Sequence, residues 1–246
     1  MTNLSLKEIF SSIQGEGIHI GQRQIFVRLA GCNLRCAYCD TDFVPTERCR
    51  IEVEPGTGRF EEIDNPWAGE RVRQLVTGWA ARQPRLHRAL VLTGGEPLLQ
   101  AEVLKEWLEE LDGLLPVHLE TNGTLPVEAE RLRPWIDFYS IDLKLYSVTG
   151  EVTPWRAHED FLRACAGRPA QIKLVVSAGM DVDEMKRAAG LAARHLPDAP
   201  LILQPVTVDG RPNVAGQQLL RWQELLSGEH PDCRVIPQVH PLLAVC

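Results

Sequence analysis

The sequence predicts an α/β protein built on parallel strands, and three observations indicate this class. Six short apolar or β-branched runs recur along the 246 residues, and segments with the apolar spacing of amphipathic helices separate them. Each helical segment has a glycine or proline near its end. Such alternation is typical of parallel strands joined by helical crossovers, in an open sheet or in a full or partial barrel. Since 44% of the residues are hydrophobic, one domain can bury a substantial core.

Apolar runs mark six candidate strands, and three segments have clear helical spacing. The strands are predicted at residues 24–30, 88–94, 115–120, 136–144, 171–177 and 201–206. The helices are predicted at residues 67–83, 100–113 and 181–196. Residues 45–66 interrupt the alternation with two proline-flanked turns that contain glycine, which indicates a surface insert. We expect a single domain over residues 1–246, with residues 233–246 as a C-terminal extension that folds back as an extra strand.

Composition and charge argue against several classes of function. The net charge of −7 gives no general attraction for nucleic acid. No run of about 18 apolar residues is present, and the first residues lack the charged-then-apolar order of a secretory signal. We therefore expect a cytoplasmic protein that acts on a small molecule, with no nucleic-acid or membrane partner.

Three of the seven cysteines crowd into eight positions directly after the first predicted strand. Cys32, Cys36 and Cys39 have the spacing C-x3-C-x2-C, which favours metal ligation in a reducing compartment over a disulfide framework. Three thiolates leave the fourth iron of a 4Fe-4S cluster without a protein ligand, and an open coordination position is the usual mark of a catalytic metal site. A zinc site needs a fourth ligand, for which the following stretch offers only Cys49. Zinc and an electron-transfer ferredoxin are therefore the less favoured alternatives.

The cysteine loop and the next strand end together resemble the radical S-adenosylmethionine superfamily. GCNLRCAYCDT matches the cysteine signature of that superfamily, with Tyr38 before the third cysteine, and TGGEP at residues 93–97 is similar to its cofactor-binding glycine motif. The resemblance implies a 4Fe-4S cluster and S-adenosylmethionine as cofactors, on a partial (β/α)6 TIM-like barrel of parallel strands. The residues that it implies as cofactor contacts are Tyr38, Cys39, Asp40, Gly95, Glu96, Glu120, Asn122, Asp142, Lys144 and Gln204.

A second set of motifs resembles one family of this superfamily, the 7-carboxy-7-deazaguanine synthases. The resemblance rests on IFSSIQGEG at residues 9–17, Arg28 ahead of the cysteines, and QVH at residues 238–240. It implies conversion of 6-carboxy-5,6,7,8-tetrahydropterin to 7-carboxy-7-deazaguanine with loss of ammonia, in queuosine or 7-deazapurine biosynthesis. It also implies Mg²⁺ held by Thr41. The residues that it implies as substrate contacts are Ile13, Gln14, Gly15, Glu16, Arg28, Thr93, His240 and Cys246.

These residue types suit such a substrate. Amide and backbone groups can match the several donors and acceptors of a planar heterocycle, and a guanidinium fork matches a carboxylate. The resemblance further implies a flavodoxin-like electron donor and a homodimer. Two other functions remain open, a glycyl-radical enzyme activase and a non-catalytic iron–sulfur or zinc regulator. QGEG and Arg28 argue against the activase, and the acidic composition argues against a regulator that needs a basic recognition element.

Overall fold

The computed structural model describes residues 3–39 and 42–245, and a ten-stranded sheet forms its centre. The strands are β1 Asn3–Leu4, β2 Leu6–Ile13, β3 Arg23–Leu29, β4 Arg48–Glu52, β5 Phe60–Asp64, β6 Trp67–Ala68, β7 Leu90–Gly94, β8 Val117–Thr121, β9 Phe138–Asp142, β10 Ala170–Val176, β11 Leu201–Pro205, β12 Thr207–Val208, β13 Arg211–Pro212 and β14 Cys233–Val235. The α-helices are α1 Gly69–Arg82, α2 Ala101–Leu111, α3 Pro126–Leu132, α4 Tyr146–Thr149, α5 Trp155–Ala164, α6 Val182–His195, α7 Gly216–Ser227 and α8 His240–Leu243. Short 3-10 helices lie at Gly17–His19, Pro97–Gln100 and Arg133–Trp135.

The sheet has the strand order β14-β11-β10-β9-β8-β7-β3-β2-β4-β5. Each neighbouring pair from β14 to β3 is parallel, whereas β2 runs antiparallel to β3. The strands β3, β7, β8, β9, β10 and β11 correspond to the six predicted apolar runs, and α1, α2 and α6 to the three predicted helices. The predicted α/β fold with a parallel, partly barrel-like sheet is confirmed.

The two faces of the sheet differ in chemistry because side chains alternate along each strand. On β3, the side chains of Ile25, Val27 and Leu29 belong to the main hydrophobic core that also contains helix residues. Phe26 and Arg28 point the other way and line a cavity. The neighbouring parallel strands repeat this alternation, with aliphatic residues in the core and polar residues at the cavity. We call this second side of the sheet the cavity face.

Helix α6 combines an apolar stripe with a capped start. Asp181 precedes the helix, and its carboxylate accepts hydrogen bonds from the backbone amides of Asp183 at 2.8 Å and Glu184 at 3.2 Å. These are amides that a helix leaves unpaired at its start. Met185 and Ala192 lie on the apolar stripe and are fully buried. The crossover helix is thus anchored on the outer face and leaves the cavity face free.

The insert and the tail both add strands to the sheet. Residues 45–66 contain the β4–β5 hairpin, and β4 pairs in parallel with β2. One side of the hairpin packs against the rest of the protein, because Cys49 and Ile51 at alternate positions of β4 are buried. Arg48 and Arg50, at the positions between and before them, are exposed. In the tail, β14 pairs in parallel with β11, as a strand that folds back onto the sheet. None of the helices in residues 3–39 and 42–245 has the length and apolar character needed to cross a membrane.

Candidate functional site

A cavity of about 640 Å³ lies at the carboxyl ends of the parallel strands. Ligands bind at this end in folds of this class, and the volume suits a small-molecule site. The sequence-predicted residues that line it are Ile13, Gln14, Gly15, Glu16, Arg28, Cys32, Cys36, Tyr38, Cys39, Thr93, Gly95, Glu120, Asn122, Asp142, Lys144, Gln204 and His240. Three further predicted residues, Asp40, Thr41 and Cys246, lie outside the described residues.

The three cysteines lie in the loop that follows β3. The amide of Leu34 donates a hydrogen bond to the sulfur of Cys32 at 3.4 Å, and the amide of Cys39 donates to the carbonyl oxygen of Cys36 at 3.1 Å. Burial raises the pKa of Cys36 to about 11, and the other two cysteines act in the same direction while Lys144 opposes them. Because metal ligation requires thiolates, binding of iron would release these protons.

The loop suits an iron–sulfur cluster better than a single metal ion. No three His, Cys, Asp or Glu side chains in the described part of the chain are arranged to hold one ion. In a 4Fe-4S cluster each thiolate binds a different iron, so the thiols need only surround a common space. Cys49 and Cys165 are instead packed in the hydrophobic core, and Cys233 lies on β14. The cavity therefore offers three thiols and leaves the fourth iron to a ligand from outside the described chain.

The glycines after β7 let the backbone approach the cysteine loop closely. A Cβ atom at Gly95 would overlap the carbonyl oxygen of Gly31 and lie 2.8 Å from the Cβ of Cys32. At Gly94 the φ angle is +132°, which an L side chain rarely adopts, and a Cβ atom there would overlap the carbonyl oxygen of Leu29. Only glycine fits at both positions.

Glu96 lies beneath the cavity surface rather than on it. Its side chain is fully buried, and its carboxylate accepts hydrogen bonds from the amides of Leu98 at 3.1 Å and Asn122 at 2.8 Å. The hydroxyl of Thr121 also donates to it, at 3.0 Å. Burial raises its pKa to about 7 against these donors. The carboxylate therefore joins the ends of β7 and β8 and is turned away from the cavity.

Asp142 and Lys144 sit beside the cysteine loop at the end of β9. The ammonium of Lys144 lies 2.8 Å from Asp142 Oδ2 and donates to the Tyr38 hydroxyl at 2.9 Å. Asp142 Oδ1 and Gln204 Oε1 are buried acceptors without a hydrogen-bond partner among the described residues. A buried acceptor is costly without a donor. These two oxygens fit S-adenosylmethionine, since its ammonium, hydroxyl and amino groups are hydrogen-bond donors.

On the other side of the cavity, Gln14, Glu120 and Thr93 form one hydrogen-bonded group. The amide of Gln14 donates to Glu120 Oε1 at 2.9 Å and to Gln24 Oε1 at 3.1 Å. The hydroxyl of Thr93 donates to Glu120 Oε2 at 2.7 Å. Both carboxylate oxygens of Glu120 are thus held by donors from different segments, the loop after β2 and strand β7. The orientation of this polar surface is set before any ligand binds.

Glu16 joins the loop after β2 to the sheet and to the tail. It forms an ion pair with Lys173 of β10 and accepts a hydrogen bond from the Gln238 side chain at 2.8 Å. Burial raises the pKa of Glu16, but Lys173 and Gln238 outweigh it and bring the value down to about 2. The amide of Val239 donates to the carbonyl oxygen of Gly15 at 2.9 Å. His240 is therefore brought to the cavity by contacts of its neighbours with this loop.

Arg28 approaches the cavity with part of its guanidinium already bound. Its Nε donates to Glu8 Oε1 at 2.9 Å, and the group lies 5.5 Å from the centre of the Phe10 ring. Arg50 of the β4–β5 hairpin lies 3.6 Å from the other oxygen of Glu8 and also lines the cavity. Because Nε is the nitrogen bound to Glu8, the terminal nitrogens of Arg28 are the ones that could bind a ligand in this cavity.

Lys173, Glu8 and Arg50 are site residues that the motif analysis missed. Lys173 interrupts the apolar strand QIKLVVS, and a lysine in the middle of such a strand is itself a signal of a polar face. The same period of two occurs in FYSID, where Ser140 and Asp142 face the cavity. No comparable signal marks Arg50, which lies in the irregular insert.

Comparison with known proteins agrees with this geometry. Residues 27–167 match the family model of the radical SAM superfamily. A 7-carboxy-7-deazaguanine synthase from Geobacter sulfurreducens is 43% identical, over 96% of this chain and 95% of its own length. The enzyme of that name from Methanothermobacter thermautotrophicus is 36% identical, over 97% of this chain and 96% of its own. The crystal structure of QueE from Escherichia coli is similar in fold, with a TM-score of 0.56 and 20% identity over 97% of this chain and 95% of that one.

The superfamily match establishes a 4Fe-4S cluster and S-adenosylmethionine as the cofactors, consistent with three cysteines and two unpartnered buried acceptors in one cavity. These two relatives match over 96% and 97% of this chain, so the similarity extends well beyond residues 27–167. The chain belongs to the radical SAM superfamily and, within it, to the family of 7-carboxy-7-deazaguanine synthases.

Proposed function

We propose that this chain is a carbon–nitrogen lyase that converts 6-carboxy-5,6,7,8-tetrahydropterin to 7-carboxy-7-deazaguanine and ammonia. Substrate and product differ by one molecule of ammonia, so the overall reaction consumes no oxidant or reductant. The observation that carries the proposal is the meeting, in one cavity, of the three-cysteine loop with the Gln14–Glu120 group and Arg28. A radical source and a site for a carboxylated heterocycle are thereby adjacent.

The polar group around Glu120 is suited to the pterin ring. Gln14, Thr93 and Glu120 are mutually hydrogen-bonded, so a planar ligand meets donors and acceptors that need not reorganise. The backbone of Ile13 and Gly15 flanks this group at the end of β2. Arg28 would bind the substrate carboxylate through its terminal nitrogens, since Glu8 already holds Nε. Its position next to the cysteine loop would direct the carboxylate-bearing ring carbon toward the cofactors.

At the cofactor end, Cys32, Cys36 and Cys39 would hold the cluster. Asp142 and Gln204 would accept hydrogen bonds from S-adenosylmethionine through their unpartnered oxygens. When bound, the two cofactors supply the radical that removes a hydrogen atom from the substrate and later returns it. The role of the chain is to hold the reacting atoms close together and to exclude water. The tail segment at Val239 and His240, held on Gly15, would close the substrate end.

Further parts of the proposal concern magnesium, partners and location. We place Mg²⁺ at Thr41, which lies outside the described residues; the described chain has no ready cluster of three acidic, histidine or cysteine ligands, so water and substrate oxygens would complete the coordination. We also propose a flavodoxin-like electron donor, a homodimer and a cytoplasmic location. Light scattering of the purified chain tests the dimer, and dialysis against a chelator followed by addition of Mg²⁺ tests the metal.

The decisive experiment is anaerobic reconstitution with iron and sulfide. The reduced chain is given S-adenosylmethionine, Mg²⁺ and 6-carboxy-5,6,7,8-tetrahydropterin, and products are followed by mass spectrometry. We expect 7-carboxy-7-deazaguanine, with much less than one 5'-deoxyadenosine released per product. Release of 5'-deoxyadenosine without deazaguanine would reject this substrate and would send the search to a protein substrate of the activase kind.

A further inference from the structure

Lys173 is a buried cation at the centre of the cavity face. It lies in β10 between Ile172 and Leu174, which belong to the hydrophobic core, and its side chain turns to the opposite side. Only 8% of the residue is exposed. A lysine so deeply buried is costly unless anions compensate it. The carboxylates around Lys173 therefore indicate which parts of the chain this buried lysine connects.

Two carboxylates from different parts of the chain share this cation. Glu16, in the loop after β2, forms an ion pair with it, and Asp142 Oδ2 at the end of β9 lies 3.9 Å from its ammonium. Burial alone would lower the pKa of Lys173, but Glu16 and Asp142 hold it above its usual value. Without Lys173, these two carboxylates would face the same space with less positive charge between them.

Each of these two carboxylates also contacts a residue at one end of the cavity. On the substrate side, Glu16 accepts the hydrogen bond from Gln238 at 2.8 Å and so holds the tail. On the cofactor side, Asp142 lies 2.8 Å from the ammonium of Lys144, which donates to Tyr38 at 2.9 Å. Hydrogen bonds and ion pairs thus link the tail to the cysteine loop through four charged side chains, Glu16, Lys173, Asp142 and Lys144. Lys173 connects the substrate half of this series to the cofactor half.

We propose that Lys173 is a positioning residue that fixes the substrate loop and the tail relative to the cofactor end of the cavity. The proposal rests on the function proposed above and adds a residue to it. Lys173 acts through Glu16 and Asp142, so its loss should leave the cysteine loop able to bind its cluster. What it should lose is the coupling between radical formation and product formation, because proximity of the reacting atoms depends on the fixed arrangement.

The first test needs no cofactor. Hydrogen exchange is measured on the purified apo chain of Lys173→Met. Lys105→Met is the matched control, because Lys105 is a half-exposed lysine of α2 that pairs with Glu109 within the same helix. We expect exchange of the Val239 amide to accelerate at least tenfold in Lys173→Met, with core amides of β8 unchanged. The control should match the unmodified chain. Equal exchange of Val239 in both variants would overturn the proposal.

The second test uses the reconstituted chain and the ratio of 5'-deoxyadenosine to deazaguanine. We expect this ratio to rise at least fivefold in Lys173→Met at unchanged iron content, and Lys173→Arg to restore most of the coupling because it keeps the cation. A merely structural role would lower iron content and turnover together and leave the ratio unchanged, which would reject the proposal. If the unmodified chain makes no deazaguanine, the proposed substrate fails while the apo-chain exchange still decides the role of Lys173.

A variant with intact Lys173 covers the case in which Lys173→Met does not fold. Glu16→Gln keeps the size and hydrogen-bonding ability of the side chain but removes its charge from the pair. We expect the same acceleration of Val239 exchange, because Glu16 is the carboxylate through which Lys173 reaches the tail. Val239 exchange in Glu16→Gln equal to that of the unmodified chain would overturn the proposal.

Discussion

Replacement of Arg28 by methionine tests how the cavity binds a carboxylate. Glu8 occupies Nε at 2.9 Å, so we count one hydrogen bond from a terminal nitrogen to the substrate carboxylate. Hydrogen bonds to charged groups contribute about 1.5–3 kcal/mol net, and about 1.4 kcal/mol corresponds to a tenfold change in Kd. We therefore expect the Kd of the carboxypterin to rise about 10- to 100-fold. Folding should be little affected, because Arg50 lies 3.6 Å from Glu8 and remains to compensate it.

The assay is anaerobic calorimetry with two ligands, the 6-carboxytetrahydropterin and a tetrahydropterin without the carboxylate. In the unmodified chain, removal of the carboxylate should weaken binding by the same factor as the Arg28→Met change. In Arg28→Met, the two ligands should bind alike. Arg59→Met is the control, since Arg59 is an exposed residue of the hairpin paired with Glu54. If removal of the carboxylate weakens binding equally in both chains, Arg28 does not bind it.

Three further substitutions test the close approach of the backbone at the site, the stability of helix α1 and the acid sensitivity of the fold. Gly95→Ala should abolish cluster binding, because the new Cβ would overlap the Gly31 carbonyl and press on Cys32. The measurement is iron per chain after reconstitution, and a normal iron content would show that this close approach is dispensable. Gly78→Ala, in α1 with nothing within 4 Å of the new Cβ, should keep the iron and raise the free energy of unfolding in urea by about 0.5–1 kcal/mol. Burial lowers the pKa of His118 from 6.5 to about 3, so below pH 6.5 the unfolded chain takes up a proton at this residue and the folded chain does not. The free energy of unfolding should therefore fall by up to about 1.4 kcal/mol for each pH unit below 6.5. His118→Phe should make urea unfolding less dependent on pH between 6.5 and 5, and an unchanged dependence would assign the acid sensitivity to other groups.

The parallel strands could be predicted because their signal is local. The run at residues 24–30 became β3 at Arg23–Leu29, and the run at 201–206 became β11 at Leu201–Pro205, each within about one residue at its start. In contrast, β2 and the β4–β5 hairpin were not among the predicted strands. Both contain polar residues on the side that faces the cavity or solvent, so neither reads as a continuous apolar run. Their pairing with the sheet depends on contacts between distant segments, which strand patterns alone do not reveal.

The site was predictable where its chemistry is carried by short spacing, and not where it depends on tertiary pairing. The cysteine loop and TGGEP are contiguous motifs, and their residues reach one cavity because both follow neighbouring parallel strands, β3 and β7. Lys173 and Glu16 are 157 residues apart in the sequence, and the residues around either one do not indicate that the two side chains pair. For Glu96 the limit is a different one. Its motif is recognisable from the sequence, but its fully buried carboxylate accepts hydrogen bonds from the backbone of the surrounding loops, which the motif does not indicate.

The cavity face combines two properties that are usually in conflict. It surrounds a cavity of about 640 Å³ with largely buried side chains, yet it carries charges that burial would penalise. The conflict is resolved by pairing: Lys144 with Asp142, Lys173 with Glu16, and Arg28 with Glu8. Since the partners in each pair are already held by the fold, a ligand meets groups that do not have to be reoriented. Asp142 Oδ1 and Gln204 Oε1 are buried acceptors of this cavity without a hydrogen-bond partner among the described residues, and a bound cofactor with donor groups can supply one.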